Sequence, residues 1–448
     1  MDDAMSENTD DHAVLVTCDT HVGPRLIEDL RPYCPQKSLP DFDEFAEDTR
    51  PVREWWLSGQ APGSHDAGHY DSAARRKDME GDGVVAEVLF HFSFNGELLP
   101  FIPSFTHSDN PSDPELAKVG MRIYNRWLAD FCAELPGRRV GLAHLPLWDI
   151  DAAVAEAEWA AEHGLKGINF PAMRDTLLAY DEPAYEPLWD VAEANRLALT
   201  THSGAVSPTA MSRQALLMLE VAGPAARRAI HRFIFAKIFD RHPDLKLVMT
   251  EMVGPWQQPL MDEMDSAYRA TVQNNAKKDT GVLTRNANRG VSLAEPGKWK
   301  GYAVNTLKQE PLDKLPSEYF GTNVFIGASM LAHFEAELAI DHGYVDSIMW
   351  GSDYPHPEGL RNPADTDPET SQFRRAVRNT FQNLPADQVG AMLGGNAIRC
   401  YGLDGALLAE AANSIGAPTV GTLATPPVGD LVGSGGTGGL AFRTEAWT

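Results

Sequence analysis

The stretch Val14-Leu-Val-Thr-Cys-Asp-Thr-His21 decides how the rest of the chain is interpreted. Its first five residues have the apolar and β-branched character of a buried strand. Residues i and i+2 of a strand point to the same side, so Asp19 and His21 project together where the apolar run stops. Carboxylate and imidazole groups are both metal ligands, and this pair therefore predicts a metal site at the carboxyl end of the strand.

Metal-ligating side chains also close two other short apolar runs. His202 follows residues 197–201, and Asp353 follows residues 348–352. Taken singly, each has an ordinary explanation, since a histidine after a strand is often packed and an aspartate often forms a turn. The carboxyl ends of the strands form the active-site face of a β/α barrel. Their joint placement favours one mononuclear divalent metal site built from Asp19, His21, His202 and Asp353.

Short apolar runs alternate with amphipathic helical stretches along the chain, which is the pattern of βα units. One crossover helix is predicted between Asp149 and Gly164, which are typical start and stop residues. Eight runs in this alternation favour an α/β fold with a closed (β/α)8, TIM-like barrel over an open, doubly wound sheet. The runs are residues 14–18, 84–90, 140–145, 167–170, 197–201, 245–250, 324–327 and 348–351.

Four segments depart from this repeat. Long insertions at residues 22–82, after the first strand, and 264–320, after the sixth, are expected to cover the site. Residues 1–12 are predicted to be an acidic N-terminal tail, and the barrel is expected to span 13–405. Residues 406–448, rich in Gly, Pro and Thr, predict an extended tail that is either disordered or wrapped around a neighbouring subunit.

The composition of the chain indicates which binding partners are unfavourable and which cellular compartment the protein occupies. The net charge of -25 opposes binding to nucleic acid and to anionic membranes by long-range repulsion. No stretch approaches the roughly 18 to 20 apolar residues that a membrane helix needs, and the N-terminus lacks the features of a signal peptide. The four cysteines lack CxxC spacing, which suits reduced thiols. We expect a soluble, cytoplasmic protein acting on a small molecule.

Several motifs together resemble the amidohydrolase superfamily over roughly residues 13–405. Within it, the chain is similar to the amidohydrolase-related group that includes aminocarboxymuconate semialdehyde decarboxylase and the hydroxybenzoate-type decarboxylases. The motifs are Asp19-Thr-His21, Gly167-Ile-Asn-Phe-Pro171, Thr201-His202-Ser-Gly204, His242-Pro-Asp-Leu-Lys-Leu-Val248, Trp350-Gly-Ser-Asp-Tyr-Pro355 and Gly395-Asn-Ala-Ile-Arg-Cys-Tyr-Gly402.

This resemblance implies one metal ion, usually zinc and sometimes manganese, held by residues of the first, fifth and eighth strands. It also implies that Asp353 both touches the metal and moves protons. For the assembly we expect a homodimer or a higher homo-oligomer.

The chain departs from the family pattern at two positions. Asp19 stands where many relatives have His or Glu, and an anionic ligand of similar hardness keeps the site intact. Glu251 stands where many relatives have a catalytic His, so we interpret it as a base or acid, or alternatively as a structural carboxylate. Asn169 and Phe170 occupy the end of the fourth strand, where dinuclear relatives carry a bridging Lys. One metal is therefore expected.

Substrate contacts are predicted around the same face. His356 is expected to orient the substrate, with a solvated turn histidine as the alternative. Arg174 is expected to pair with a substrate carboxylate, with a surface arginine as the alternative. Aromatic and polar groups after the second strand, with Phe94 among them, suit a planar or unsaturated substrate. The remaining predicted substrate-binding residues are His91, Phe92, Asn95 and Asn169.

The ligand set fits two reactions. In a hydrolase a metal-activated water attacks the substrate, whereas in a decarboxylase Asp353 protonates the carbon that loses carbon dioxide. We rank hydrolysis of a small organic amide, ester or ring bond first, with Glu251 tipping the balance. Non-oxidative decarboxylation of an aromatic or unsaturated acid is the alternative. A non-catalytic barrel is a third class, and the intact ligands argue against it.

Overall fold

The structure is a computed structural model, and it describes residues 11–427 except 61–63, 103–110, 175, 204–222, 225, 253–254, 277–309, 330, 357–358, 362–364 and 366. Residues 1–10 of the predicted acidic tail and the end of the chain from residue 428 lie outside the described residues.

Eight strands form one sheet in which each strand pairs in parallel with the next along the chain. The strands are β1 Leu15–Val22, β2 Val84–His91, β3 Arg139–Ala143, β4 Gly167–Asn169, β5 Ala198–His202, β6 Leu247–Thr250, β7 Val324–Ser329 and β8 Ile348–Gly351.

The first strand also meets the segment that follows the last one. The backbone N–H of Asp353 donates to the carbonyl of Asp19 at 2.9 Å, and that of His21 donates to the carbonyl of Tyr354 at 2.7 Å. These bonds bring β1 and the end of β8 together. The predicted (β/α)8 TIM-like barrel is confirmed.

Helices fill the connections between the strands. They are α1 Leu39–Asp48, α2 Arg50–Trp55, α3 Ser72–Asp82, α4 Pro114–Ala133, α5 Ile150–Glu162, α6 Glu186–Ala194, α7 Arg228–Phe235, α8 Ile238–Arg241, α9 Gln257–Ala276, α10 His333–Asp341, α11 Gln372–Phe381, α12 Ala386–Gly390, α13 Asn396–Tyr401, α14 Gly405–Ile415 and α15 Val420–Leu423. Among the helices that the structure describes, none is both long and apolar enough to cross a lipid bilayer.

The predicted crossover helix after the third strand is α5. The Asp149 carboxylate accepts a hydrogen bond from the backbone N–H of Ala152 at 3.1 Å, which is the usual N-cap arrangement. Gly164 follows the helix with a φ of 83°, a conformation that costs a side-chain-bearing residue energy. Local sequence signals therefore set both ends of this helix.

Side chains along each strand point alternately into and out of the barrel, and this alternation divides the core into two layers. Val16, Cys18, Val88 and Phe325 pack inside the barrel. Their strand neighbours, such as Leu15, pack outside it among residues of the helices. Because successive side chains of a strand point to opposite faces, a strand covered on both sides is apolar along its whole length.

The structure describes most of the first predicted insertion but only part of the second. Helices α1 to α3 lie within residues 22–82, and α3 ends directly before β2. The second insertion begins inside α9, and its residues 277–309 lie outside the described part of the chain.

The packed structure continues past the predicted end of the barrel at residue 405. Helix α14 buries Leu408 and Ala412 in the same cluster as barrel-interior residues, and the backbone N–H of Ala13 donates to the carbonyl of Pro418. Leu408 and Ala412 are four residues apart, the spacing of one helix face. The glycine and proline content of residues 406–448 predicted an extended tail, but the start of this segment contains a short apolar stripe, Leu408 and Ala412, that packs against the barrel.

Candidate metal centre

Three strands place the four predicted metal ligands at one end of the barrel. Asp19 and His21 come from β1, His202 is the last residue of β5, and Asp353 lies two residues beyond β8. His21 Nε2 is 3.3 Å from Oδ1 of Asp19 and 3.3 Å from Oδ1 of Asp353. His202 Nε2 is 3.4 Å from the same Asp19 oxygen. The ligand atoms of Asp19, His21 and His202 lie within 4.8 Å of one another, and so do those of His21, Asp353 and His356. His21 belongs to both groups and connects Asp353 to the other predicted ligands.

The facing atoms of this group fit a single cation. Donors that share one metal at about 2.0 to 2.2 Å lie about 3 to 3.5 Å from each other, which matches the observed separations. These atoms are closed to solvent and accept or donate no hydrogen bond within the described residues, and a bound cation would satisfy all of them at once. They are Asp19 Oδ1, His21 Nε2, His202 Nε2, Asp353 Oδ1 and Asp353 Oδ2.

Opposite charges dominate the electrostatics of the group. Burial lowers the pKa of His21, but the close carboxylates of Asp19 and Asp353 outweigh it and raise the pKa to about 10. The pKa of His202 rises to about 9 for the same reason, because the attraction of Asp19 and Glu251 exceeds the cost of burial. Burial raises the pKa of Asp353 to about 6. Carboxylates here attract positive charge, and metal binding would displace the imidazole protons.

His356 is the buried neighbour of the ligands and is 6% exposed. Its ring stacks on His21 with centroids 3.8 Å apart, and its Nδ1 lies 2.9 Å from Asp353 Oδ1. Its Nε2 lies 3.0 Å from the carbonyl oxygen of Phe92, which can only accept a hydrogen bond. Nε2 must therefore carry a proton, and the ring's other nitrogen faces Asp353.

Glu251 follows β6 and stands behind His202. Its Oε2 lies 3.6 Å from His202 Nδ1 and accepts a hydrogen bond from Ser203 Oγ. Burial raises the pKa of Glu251, and the neighbouring Asp353 and Asp19 add to the rise. The hydrogen-bond partner of His202 Nδ1 is the carbonyl oxygen of Ser203 at 2.9 Å, which orients the ring. Glu251 contacts the same residue through the Ser203 hydroxyl, and its position suits a group that supports this orientation as well as an acid or base.

Two predicted substrate-binding residues, Asn169 and His91, belong to a second buried cluster. Asn169 Nδ2 lies 2.9 Å from His144 Nε2, and the His91 ring stands 5.9 Å from that of His144. Burial lowers the pKa of His144 to about 3 and that of His91 well below its usual range, so both rings are neutral. Asn169 Oδ1 and His91 Nε2 make no hydrogen bond within the described residues.

The remaining predicted contacts occupy different surroundings. Phe92 is half-buried, and its ring lies 6.1 Å from that of His356. The Asn95 amide is engaged with backbone, since Nδ2 donates to the carbonyl of Gly23 at 2.6 Å and Oδ1 accepts from Glu97 N–H at 3.3 Å. Arg174 is half-buried beyond β4.

Three residues near the site had not been predicted. Ser329 Oγ donates to Asp19 Oδ2, and the Phe90 ring lies 4.8 Å from that of His202. His144 lies just after β3. Like His202, His144 and Ser329 are polar residues at or just after the end of a strand. They were missed because the third predicted run extended one residue past His144. The seventh predicted run ended two residues before Ser329.

Comparisons with known proteins fit this geometry. Residues 114–403 match a family model described as amidohydrolase. A γ-resorcylate decarboxylase of Rhodococcus jostii is 34% identical over 150 residues, which are 29% of this chain and 44% of the relative. One from a Rhizobium species is 28% identical over 189 residues, which are 40% of this chain and 54% of the relative. The match thus spans about half the length of these curated relatives.

Solved structures share the fold. The 5-carboxyvanillate decarboxylase of Sphingomonas paucimobilis superposes with a TM-score of 0.56 at 20% identity, covering 88% of this chain and all 100% of that one. The corresponding enzyme of Novosphingobium aromaticivorans, with bound manganese and a nitrobenzoic acid, gives a TM-score of 0.57 at 18% identity and covers 90% and 100%.

These relatives correct one expectation. Ranking hydrolysis above decarboxylation is wrong, because the curated relatives that match this chain are γ-resorcylate decarboxylases. The physical reason is that the same four ligands serve both reactions, so the ligand pattern could not discriminate between them.

Proposed function

The chain belongs to the amidohydrolase family, and we propose that it is a metal-dependent, non-oxidative decarboxylase of an aromatic carboxylic acid. The observation that carries the proposal is the quartet of predicted ligands, which His21 links across two groups able to hold a metal ion, in a chain whose curated relatives are decarboxylases. The aromatic rings of Phe90, Phe92 and Phe94 beside the quartet support a planar substrate.

Asp19, His21, His202 and Asp353 would hold the metal. A divalent metal held there would supply Lewis-acid stabilisation of the negative charge that develops as carbon dioxide leaves. Two carboxylates and two imidazoles accept either zinc or manganese. Zinc is the metal that the family resemblance favours, whereas related structures with bound manganese support manganese. We propose one ion per chain.

Asp353 is proposed to move the proton. It gives a proton to the ring carbon that bears the carboxylate. The bond between that carbon and the carboxyl carbon then breaks, its electrons stay in the ring, and carbon dioxide departs. A proton from solvent restores Asp353, so the net change is ArCO2⁻ + H⁺ → ArH + CO2. In the metal-free site, burial raises the pKa of the Asp353 carboxyl to about 6.

Two neighbours are proposed to hold the reacting groups. His356, fixed through Nε2 by the carbonyl of Phe92, keeps the Asp353 carboxyl in one orientation. Glu251 is proposed to orient His202 and, as an acid or base, to exchange a proton with a phenolic oxygen of the substrate.

The second buried cluster supports a neutral hydrogen-bonding partner. His91 and Asn169 each offer a buried polar atom, and neither side chain is charged. A phenolic hydroxyl suits such a pocket better than a second carboxylate, because an unpaired anion is costly to bury. Asn95 and Phe92 would shape the pocket, and Arg174 would meet an acidic group of the substrate.

Two further expectations stay proposals. The four cysteines that the structure describes are all buried and free, which supports a reducing compartment such as the cytoplasm. Assembly as a homodimer or higher homo-oligomer is likewise proposed, and its test is the mass in solution by light scattering.

The proposed reaction is tested with purified protein loaded with manganese or zinc. A panel of hydroxybenzoates, including 2,6-dihydroxybenzoate and 5-carboxyvanillate, is incubated with each form, and arene and carbon dioxide are measured. We expect stoichiometric arene and carbon dioxide from at least one acid, and loss of turnover when the metal is chelated. Hydrolysis of a matched panel of benzamides and benzoate esters without any decarboxylation would contradict the proposal.

A further inference from the structure

Arg75, on helix α3, carries a charged guanidinium group although the residue is 0% exposed to solvent. A buried guanidinium is stable only when its hydrogen bonds and its charge are matched. Its Nε donates to Glu87 Oε2 at 2.7 Å, and its Nη2 lies 2.6 Å from the same oxygen. Glu87 lies on β2 and is equally buried. The ion pair therefore anchors α3 to the barrel wall.

The other end of the guanidinium reaches the metal-binding strand. Arg75 Nη1 donates to the carbonyl oxygen of His21 at 2.7 Å and to that of Gly68 at 3.0 Å. The backbone N–H of His21 in turn donates to the carbonyl of Tyr354 at 2.7 Å. The backbone of this ligand is thus held from both sides, by Arg75 through its carbonyl and by the segment after β8 through its N–H.

The same helix face also contacts the segment that carries Asp353. The Arg75 guanidinium lies 4.8 Å from the centre of the Tyr354 ring. The Tyr354 hydroxyl donates to Asp78 Oδ2 at 2.9 Å, and Asp78 stands three residues after Arg75. Residues three apart on a helix share a face. One face of α3 therefore holds the two segments where the barrel closes, and each segment carries metal ligands.

We propose that Arg75 is a positioning residue of the metal centre, which sets the spacing between His21 on β1 and Asp353 after β8. This inference rests on the metal site of the proposed function. The simpler alternative is that Arg75 only balances the buried charge of Glu87 and so serves folding. Groups that orient metal ligands typically contribute 10- to 100-fold to metal affinity, whereas a purely structural ion pair would leave the affinity of the folded protein unchanged.

Arg139 is a matched control for the same ion cluster. Its Nε donates to the other Glu87 oxygen, Oε1, at 3.1 Å, and its side chain is also 0% exposed. Its remaining hydrogen bonds go to Phe131 and Ser72, away from the ligand segments. Arg139→Lys therefore keeps the charge of the cluster but changes its ion pair with Glu87, without touching the His21 carbonyl.

The test compares Arg75→Lys with Arg139→Lys in the full-length chain, using Mn²⁺ as the probe. Each protein is loaded with Mn²⁺ and titrated with a chelator, and circular dichroism of the metal-free form checks folding. We expect Arg75→Lys to bind Mn²⁺ roughly 10 to 100 times more weakly than the parent and Arg139→Lys to stay within about threefold. Tyr354→Phe, which removes only the hydroxyl bonded to Asp78, should weaken binding by a smaller factor.

Unchanged Mn²⁺ affinity in folded Arg75→Lys, or an equal loss in Arg139→Lys, would overturn the assignment. If Arg75→Lys fails to fold while Arg139→Lys folds, Arg75 is a folding residue and the assignment is also overturned. If the parent binds Mn²⁺ but decarboxylates no acid, the proposed reaction fails while the comparison still decides the role of Arg75.

Discussion

Replacing Asp353 by Asn separates metal binding from proton transfer. Asn keeps the size of the side chain and one oxygen that can face the metal. It also tolerates the left-handed backbone at this position, where φ is 56°. The backbone bond from residue 353 to the carbonyl of Asp19 does not depend on the side chain. We therefore expect Asp353→Asn to fold, to retain metal and to bind substrate.

The expected loss is in turnover. An amide cannot deliver the proton that the carboxyl delivers, and general acid–base catalysis contributes on the order of 10² to 10⁴ in rate. That factor corresponds to about 3 to 5.5 kcal/mol of activation free energy.

The assay is single-turnover decarboxylation of the best acid from the panel, with metal content and substrate affinity measured on the same sample. The control is Asp190→Asn, the same chemical change at a carboxylate whose side chain is 73% exposed. We expect the control to match the parent. Turnover of Asp353→Asn within a few fold of the parent would refute the reasoning, and the proton would then have to pass through Glu251 or His356.

Three further predictions concern the metal ligand His202, the buried Glu97 and helix α14 near the C-terminal end of the described chain. His202→Ala should lose the metal, counted by elemental analysis, yet keep its dichroism spectrum, and unfolding would instead assign His202 to packing. Burial raises the pKa of Glu97 from 4.5 to about 7, so its ionisation destabilises the fold progressively as pH rises through that window. Glu97→Gln should therefore gain stability over the parent at pH 8 but not at pH 4 in urea denaturation, and equal gains would contradict it. Leu408→Ala should cost about 2 to 5 kcal/mol in the same assay, and a loss below about 0.5 kcal/mol would place α14 outside the core.

The fold and the ligand positions follow from short-range order in the sequence. A buried strand reveals itself by an apolar run, and the first polar side chain after that run must lie at the strand's end. This is why Asp19, His202 and Asp353 could be placed together although they are far apart in the chain. Asp149 and Gly164 mark the ends of α5 for the same reason, since capping depends on the backbone within one turn.

Other features could not be predicted because they depend on how distant elements pack. Ser329 acts on Asp19 across 310 residues, and Arg75 acts on the carbonyl of His21 across 54. Neither residue has a local pattern that distinguishes it from an ordinary serine or a surface arginine. The stacking of His356 on His21 likewise needs β1 and β8 to meet.

The choice of reaction was also beyond the sequence pattern, because hydrolysis and decarboxylation use the same four ligands. Local periodicity determined where each strand ends and which way its side chains point, since strand and helix geometry repeat over a few residues. Only tertiary packing determined which of those side chains meet, because a hydrogen bond forms within about 3 Å and the positions of separate elements are set by the whole core.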